Sequence, residues 1–596
     1  MTSLVGLERS LVDVAMGRKP ADLVVRGGRW VCVQTGEIIE DTDVAVKDGH
    51  IAFVGTDARH AILKGTKVID AKGRYLVPGL LDAHLHVESG MITITEFVRA
   101  VSRHGTTGLF IDPHEMANIF GLRGVKLMVD EASKQSIHVW VQMPSCVPSA
   151  PGLETPGASI GPREVAEAMT WPGIIGLGEM MNFRGVYDGN RKMLAEIAAT
   201  HAAGKTVGGH YASPDLGLGF HGYVAGGAED DHEGTRLEDG IERARQGLKS
   251  MLRYGSAWHD VAAQIGAITE RGLDSHRFIL CTDDSHAQTL AFDGHMDRVL
   301  RYAVSHGLPP MTAIQMMTIN TAEHFGVSRD VGMIAPGRWA DIVLTQNLED
   351  FHADMVIAKG DVIAEEGKLR YAAPKFPYPA WARNSVHVKK TIGADDFALK
   401  AGSRKSKVRA NVIGVIENQA PTRHLTLELP VENGQVRPDI AGDVAKLALI
   451  KRHDGSGGIR VGLVSGFGFT EKCAVASTVA HDCHHMLIVG TDDADMAIAA
   501  NKLAQFGGGQ IVVKDGRVIG QVELSIAGLM SSEPVDVVAR KAETVLAGFR
   551  ACGCGINNPN MQLSLLALAV IPELRLSDKG LVDVTKFALI PVLEKG

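Results

Sequence analysis

Between residues 76 and about 330, short apolar runs that read as strands alternate with helical patterns, and this constrains the fold more than any other feature. The runs include Tyr75-Leu76-Val77-Pro78-Gly79-Leu80-Leu81-Asp82-Ala83-His84, Gly108-Leu109-Phe110-Ile111-Asp112, Val139-Trp140-Val141-Gln142-Met143, Ile174-Ile175-Gly176-Leu177-Gly178, Thr206-Val207-Gly208-Gly209-His210 and Phe278-Ile279-Leu280-Cys281-Thr282. Alternation of this kind over roughly 250 residues argues for a parallel sheet, and the length matches a (β/α)8 barrel. Such barrels carry their chemistry where the strands end. Each run ends in, or leads straight into, a polar or ionisable residue.

The first run leads into His84-Leu85-His86. Side chains two apart on a strand point the same way, so the two imidazoles can converge on one point, as metal ligands must. The other strand ends add Glu179, His210 and Asp283, and His232 stands in the acidic turn Glu229-Asp230-Asp231-His232-Glu233. Four histidines and two carboxylates suffice for a two-metal site. Imidazole with carboxylate suits zinc, iron or manganese, and the lack of thiolate argues against a soft site.

The flanks differ in texture. Residues 1 to about 20 read as a short amphipathic helix ending near Gly17, followed to residue 75 by short β-branched runs with a hairpin signal at Asp48-Gly49. The same texture returns over 331–373, so a small β-sandwich built from both flanks is expected. Residues 374–400 carry Pro374, Pro377 and Pro379 and read as a linker to an α/β domain over 401–596. Lys514-Asp515-Gly516-Arg517-Val518 echoes Lys47-Asp48-Gly49-His50-Ile51, which a shared turn type explains better than a duplicated domain. The knot His481-Asp482-Cys483-His484-His485, preceded by Gly466-Phe467-Gly468-Phe469, has three open readings: a cover for the site, a further ion site, or a buried polar interface.

At 596 residues the chain exceeds one ordinary core, and two to four domains are expected. A formal net charge of −8 with no long basic cluster leaves no electrostatic footprint for nucleic acid or an anionic membrane. The most apolar late stretch, Leu563 to Ile571, is too short to span a bilayer. Seven scattered cysteines without a C-x-x-C pair fit a reducing compartment, so a cytoplasmic protein is expected. Cys552-Gly553-Cys554 reads as small buried residues in a turn.

Pro78-Gly79-Leu80-Leu81-Asp82-Ala83-His84-Leu85-His86 resembles the first-strand signature of the amidohydrolase superfamily, metal-dependent barrel hydrolases and deaminases. Asp112-Pro113-His114-Glu115-Met116-Ala117-Asn118, Gly178-Glu179-Met180-Met181-Asn182, Asp231-His232-Glu233, Cys281-Thr282-Asp283-Asp284 and Ala476-Ser477-Thr478-Val479-Ala480-His481-Asp482 are similar to segments of the adenine deaminases. The resemblance implies His84, His86 and Asp283 on one metal, His210 and His232 on the other, and Glu179 bridging. Many superfamily members bridge with a carbamylated lysine, but no lysine lies between Gly176 and Asn182. It further implies hydrolysis of adenine to hypoxanthine and ammonia, with two dications lowering the pKa of a water and Asp283 moving its proton. Attack on an aromatic ring also needs an acid at a ring nitrogen, for which Asp112, His114 and Glu115 are candidates, then Glu233. His114, Asp284 and His481 are expected to touch substrate, the domain after residue 400 to cover the barrel mouth, and the chain to form a homodimer or homotetramer. The rivals are a cyclic-amide hydrolase or deacetylase on the same barrel, which would not be expected to match Asp112 to Glu115, and a non-catalytic scaffold, which would lack ligands.

Overall fold

A computed structural model describes residues 4–256, 258–402 and 406–594. Its centre is a ring of parallel strands: β1 Leu80–His86, β2 Thr106–Ile111, β3 His138–Met143, β4 Ile174–Met180, β5 Thr206–Gly209, β6 Asp230–Asp231, β7 Lys249–Arg253 and β8 Phe278–Cys281. Pairing runs in chain order through β5 and again from β6 to β8. The seam between β5 and β6 is joined by Glu229 N–H donating to Val207 O at 3.0 Å. Asp283–Asp284, continuing β8, pairs with Leu85 and His86 and closes the barrel. All seven residues of β1 are buried, as strands covered on both faces require.

The apolar run from Tyr75 is two strands rather than one. Tyr75–Pro78 pairs with Leu23–Cys32 and Ile342–Thr345 in the flanking sheet, and the barrel strand starts at Leu80. The break falls at Gly79, where a Cβ would stand 2.0 Å from Thr107 Oγ1 and the N–H turns to Asp341 O at 2.9 Å. The flanking sheet has nine strands drawn from both sides of the barrel. Leu23, Val25, Val44 and Val46 from one side share a core with Ile342, Leu344, Met355 and Ile357 from the other. The N-terminal helix covers Glu8–Ala15, within the expected span, of which residues 1–3 lie outside the described residues.

The C-terminal region centres on a second nine-stranded sheet. Helix Asp493–Phe506 packs on one face, with Met496, Ala499, Ala500 and Leu503 in its core. Asp515-Gly516 and Asp48-Gly49 both turn hairpins with two positive φ angles (50° and 74°, 51° and 76°), and Lys359-Gly360 does the same at 51° and 85°. The echo between the two segments is therefore the chemistry of a type I′ turn. Residues 374–400 hold two short 3₁₀ turns, Ala380–Arg383 and Ala394–Phe397, and Tyr378, Ala382, Ile392 and Phe397 of this stretch are buried. All seven cysteines are buried and unpaired, and no helix of the described residues is long and apolar enough to cross a membrane.

Helix Arg191–Ala202, capped by the Asn190 side chain on Lys192 N and Met193 N, buries Met193, Glu196, Ile197 and Thr200 as one stripe. Glu196 is fully covered, neither of its oxygens has a hydrogen-bond partner, and Lys192 stands 3.7 Å away. Burial pushes its carboxyl up to about 7, with Lys192 opposing. A folded-state pKa above the unfolded one means that stability is fully present below about pH 4.5 and is lost as pH rises through about 7. Glu196→Gln should therefore leave stability unchanged at pH 4 and raise it at pH 8, by at most about 3 kcal/mol, in denaturant titrations at the two pH values.

Candidate active site

The site is built at the C-terminal ends of the barrel strands. A register shift between Asp82 and Leu85 changes which side chains of β1 face inward. Leu81 and Ala83 pack in the barrel interior with Phe110, Met251, Ile279 and Cys281, while Leu80 and Leu85 join the outer core. Beyond the shift His84 and His86 turn to the interior, a device by which bulges re-aim side chains. Asp82 fixes it: its carboxylate accepts from Thr282 Oγ1 (2.6 Å) and Thr282 N (3.1 Å), with His295 Nε2 at 3.0 Å.

Asp112, ending β2, anchors two site residues. Its carbonyl accepts from His86 Nδ1 at 2.8 Å, which leaves Nε2 as the ligating nitrogen, and its Oδ2 accepts from Glu179 N at 2.8 Å. Gly178 makes room, since a Cβ there would lie 2.1 Å from Asp112 Oδ2. Glu179 then presents its two oxygens to different groups. Oε1 is 3.6 Å from His86 Nε2 and 2.9 Å from His114 Nδ1; Oε2 is 2.6 Å from His210 Nδ1, 3.0 Å from His232 Nε2 and 3.9 Å from His84 Nε2. Asp283 Oδ1 lies 3.3 Å from His86 Nε2 and 3.9 Å from His84 Nε2. Asp283 holds φ at 61°, a strained value for a residue with a side chain, of the kind that clusters at functional positions.

Divalent cations fit this set. Its donors are imidazole and carboxylate, and His84 Nε2 and His210 Nε2 are buried with no partner. Burial and the neighbouring imidazoles of His232 and His86 hold His84 well below the ordinary histidine range, in the neutral form a metal needs.

Arg253 at the end of β7 was not evident from the sequence, because Lys249-Ser250-Met251-Leu252-Arg253 has few of the β-branched residues that mark the other strands. Buried, its Nη1 contacts Glu233 Oε1 and lies 3.0 Å from Asp283 Oδ2, and its Nε donates to Asp260 Oδ2 at 2.8 Å. Despite burial, His86 and Arg253 hold the Asp283 carboxyl far below the usual range.

A cavity of about 830 Å³ opens onto these groups. His114, Glu233, Asp283, Asp284 and His481 line it; Asp112 and Glu115 do not, lying buried behind it. Asp284 contacts Ser89 Oγ and accepts from Trp258 Nε1 at 3.2 Å. The C-terminal region supplies the opposite wall through Gln419, Pro421, Asp482, Leu565, Leu568 and Ile571. Of these only the His481-Asp482 motif stood out in the sequence. The Gly466 to Phe469 loop is elsewhere: Phe467 and Phe469 stack at 5.4 Å beside Phe549, and Gly466 and Gly468 donate to Asp443.

A barrel carrying this donor set at its strand ends is a metal-dependent hydrolase of the amidohydrolase type, and residues 75–363 match the amidohydrolase family model. Residues 419–588 match the adenine deaminase C-terminal domain. The chain belongs to the adenine deaminase family. It is 59% identical to "Adenine deaminase 3" of Rhizobium meliloti (98% of this chain, 98% of that one) and 60% identical to an adenine deaminase of Mesorhizobium japonicum (97% and 95%). At 50% identity it matches an adenine deaminase of Moorella thermoacetica (99% and 98%).

Gly178→Ala isolates the Asp112 anchor. The methyl group must displace the Asp112 carboxylate from Glu179 N, so bound metal should fall roughly tenfold at limiting metal, as when an outer-shell partner is lost. Elemental analysis after dialysis, alongside an unchanged far-ultraviolet circular dichroism spectrum, checks this.

Proposed function

We propose that this chain hydrolyses adenine to hypoxanthine and ammonia in cytoplasmic purine salvage, with His84, His86 and Asp283 on one divalent cation, His210 and His232 on a second, and Glu179 between them. The observation that carries the reading is the similarity to adenine deaminases along 98% of the chain, including the C-terminal wall of the cavity. Glu179 supports the bridging role, since its two oxygens face different histidines. Manganese, iron and zinc all suit the donors. When bound, the cations supply Lewis acidity that makes water nucleophilic near neutral pH.

The chain's own groups do the rest. Water oxygen bonds to the amino-bearing ring carbon, the carbon–nitrogen bond breaks, and nitrogen leaves as ammonia. Asp283, oriented by Arg253 at 3.0 Å from its Oδ2, takes the proton of the attacking water and returns it to the departing nitrogen. Among the acid candidates, Glu233 lines the cavity beside His210 and His232 (3.8 and 3.6 Å), which favours it over Asp112 and Glu115 for the ring nitrogen. Asp284 and His481 bound the space for the purine. Leu565, Leu568 and Ile571 offer the flat ring an apolar wall and exclude water. Seven unpaired thiols accord with a reducing compartment.

Full-length protein loaded with manganese should release ammonia from adenine and turn over adenosine far more slowly; no release from adenine would overturn the reading. Asp283→Asn should keep most of the metal and lose roughly three or more orders of magnitude in kcat, because its proton role disappears. Glu179→Gln should lose metal as well as rate, since an amide cannot bridge two cations as an anion. Metal content and steady-state kinetics on the same preparations separate the two.

A further inference from the structure

Beside the proposed two-cation centre lies a second buried polar cluster, of which His114, His481 and Asp482 also line the cavity. His114 and Glu115 enter it from the barrel, at the start of helix His114–Phe120; His481 and Asp482 enter it from the C-terminal region. Four donor atoms alternate around a closed circuit. His114 Nε2 is 3.8 Å from Glu115 Oε1 and 3.7 Å from Asp482 Oδ1, and His481 Nδ1 is 3.9 Å from each of the same two oxygens. A tetrahedral cation with bonds of 2.0–2.2 Å sets its ligands about 3.3–3.6 Å apart. A contraction of a few tenths of an ångström would therefore seat one.

The protein alone does not satisfy these groups. Both oxygens of Glu115, both oxygens of Asp482 and His114 Nε2 are buried with no hydrogen-bond partner, and Glu115 and Asp482 are each 1% exposed. Among the described residues no lysine or arginine pairs with either carboxylate; their ion-pair neighbours are His86, His114 and His481. Two carboxylates sealed from water without a cation are costly. The surroundings suit a metal. His114 Nδ1 lies 2.9 Å from Glu179 Oε1 without the alignment of a hydrogen bond, and this carboxylate favours the hydrogen on Nδ1, which leaves the lone pair on Nε2. His484 Nδ1 accepts from Ala480 N at 3.1 Å, which places its hydrogen on Nε2, near Glu115 and His481, so His484 is not a ligand.

We propose that His114 Nε2, Glu115 Oε1, His481 Nδ1 and Asp482 Oδ1 bind a third divalent transition-metal cation, apart from the two-cation centre, and that it clips the C-terminal region onto the barrel mouth. Two donors come from each side, so the ion ties the cavity wall to the strand ends. Mixed imidazole and carboxylate ligation suits manganese, iron or zinc.

The test uses full-length protein, stripped of metal and refilled with Mn²⁺ as the probe. Bound manganese is counted after equilibrium dialysis, and anomalous diffraction locates the ions. The wild type should hold about three per chain, with a peak inside the circuit of the four donors; Asp482→Asn and His481→Gln should hold about two, binding the third ion at least roughly tenfold more weakly. Two ions per chain at saturating Mn²⁺, no peak inside the circuit, or an undiminished third ion in both variants would overturn the proposal. The wild-type map decides even where a variant fails to fold. The two-cation centre is judged separately, by peaks at Glu179, so either assignment can fail alone.

Discussion

Glu179 concentrates the physical problem of this molecule. Its carboxylate is buried among His84, His86, His114, His210 and His232, each with a nitrogen within 3.9 Å, and burial raises the cost of its charge. Without a cation the neighbouring carboxylates push His86, His114, His210 and His232 toward their charged forms, while burial keeps His84 neutral; ligation needs the neutral imidazole. Cations resolve the conflict. The supports then read as a scaffold for one carboxylate: Asp112 on its backbone N–H, Gly178 yielding space, and Ser145 Oγ donating to its carbonyl at 2.7 Å.

The barrel gives the strand ends rigidity, but the same regularity limits where side chains point. β1 overcomes this with its register shift, and β8 with the left-handed backbone at Asp283. Both departures occur where strands meet at the closure of the ring, Asp283 and Asp284 lying beside Leu85 and His86. Arg253 links Asp283, Glu233 and Asp260 from the neighbouring strand, so substitution of any one carboxylate is felt by the others.

Much of this was legible in the chain. Parallel strands buried on both faces leave continuous apolar runs, so the residues ending them could be collected from sequence, and His84, His86, Glu179, His210, His232 and Asp283 do gather in one place. What escaped detection had no such signature. Arg253 follows a strand of mixed polarity, and Leu565, Leu568 and Ile571 are ordinary apolar residues whose role depends on a domain contact far along the chain. The break at Gly79 escaped because two apolar strands placed end to end read as one. Asp112 stood out as a potential acid, whereas its contacts show an anchor.

The division of the cavity between distant segments also has a bearing on synthesis. By the time residue 284 has been translated, every residue gathered around Glu179 from the barrel strands exists, and the ring can close through Asp283 and Asp284. His481, Leu565, Leu568 and Ile571 emerge only toward the end of translation. In synthesis, then, every barrel residue around Glu179 precedes the residues that wall the cavity from the C-terminal side.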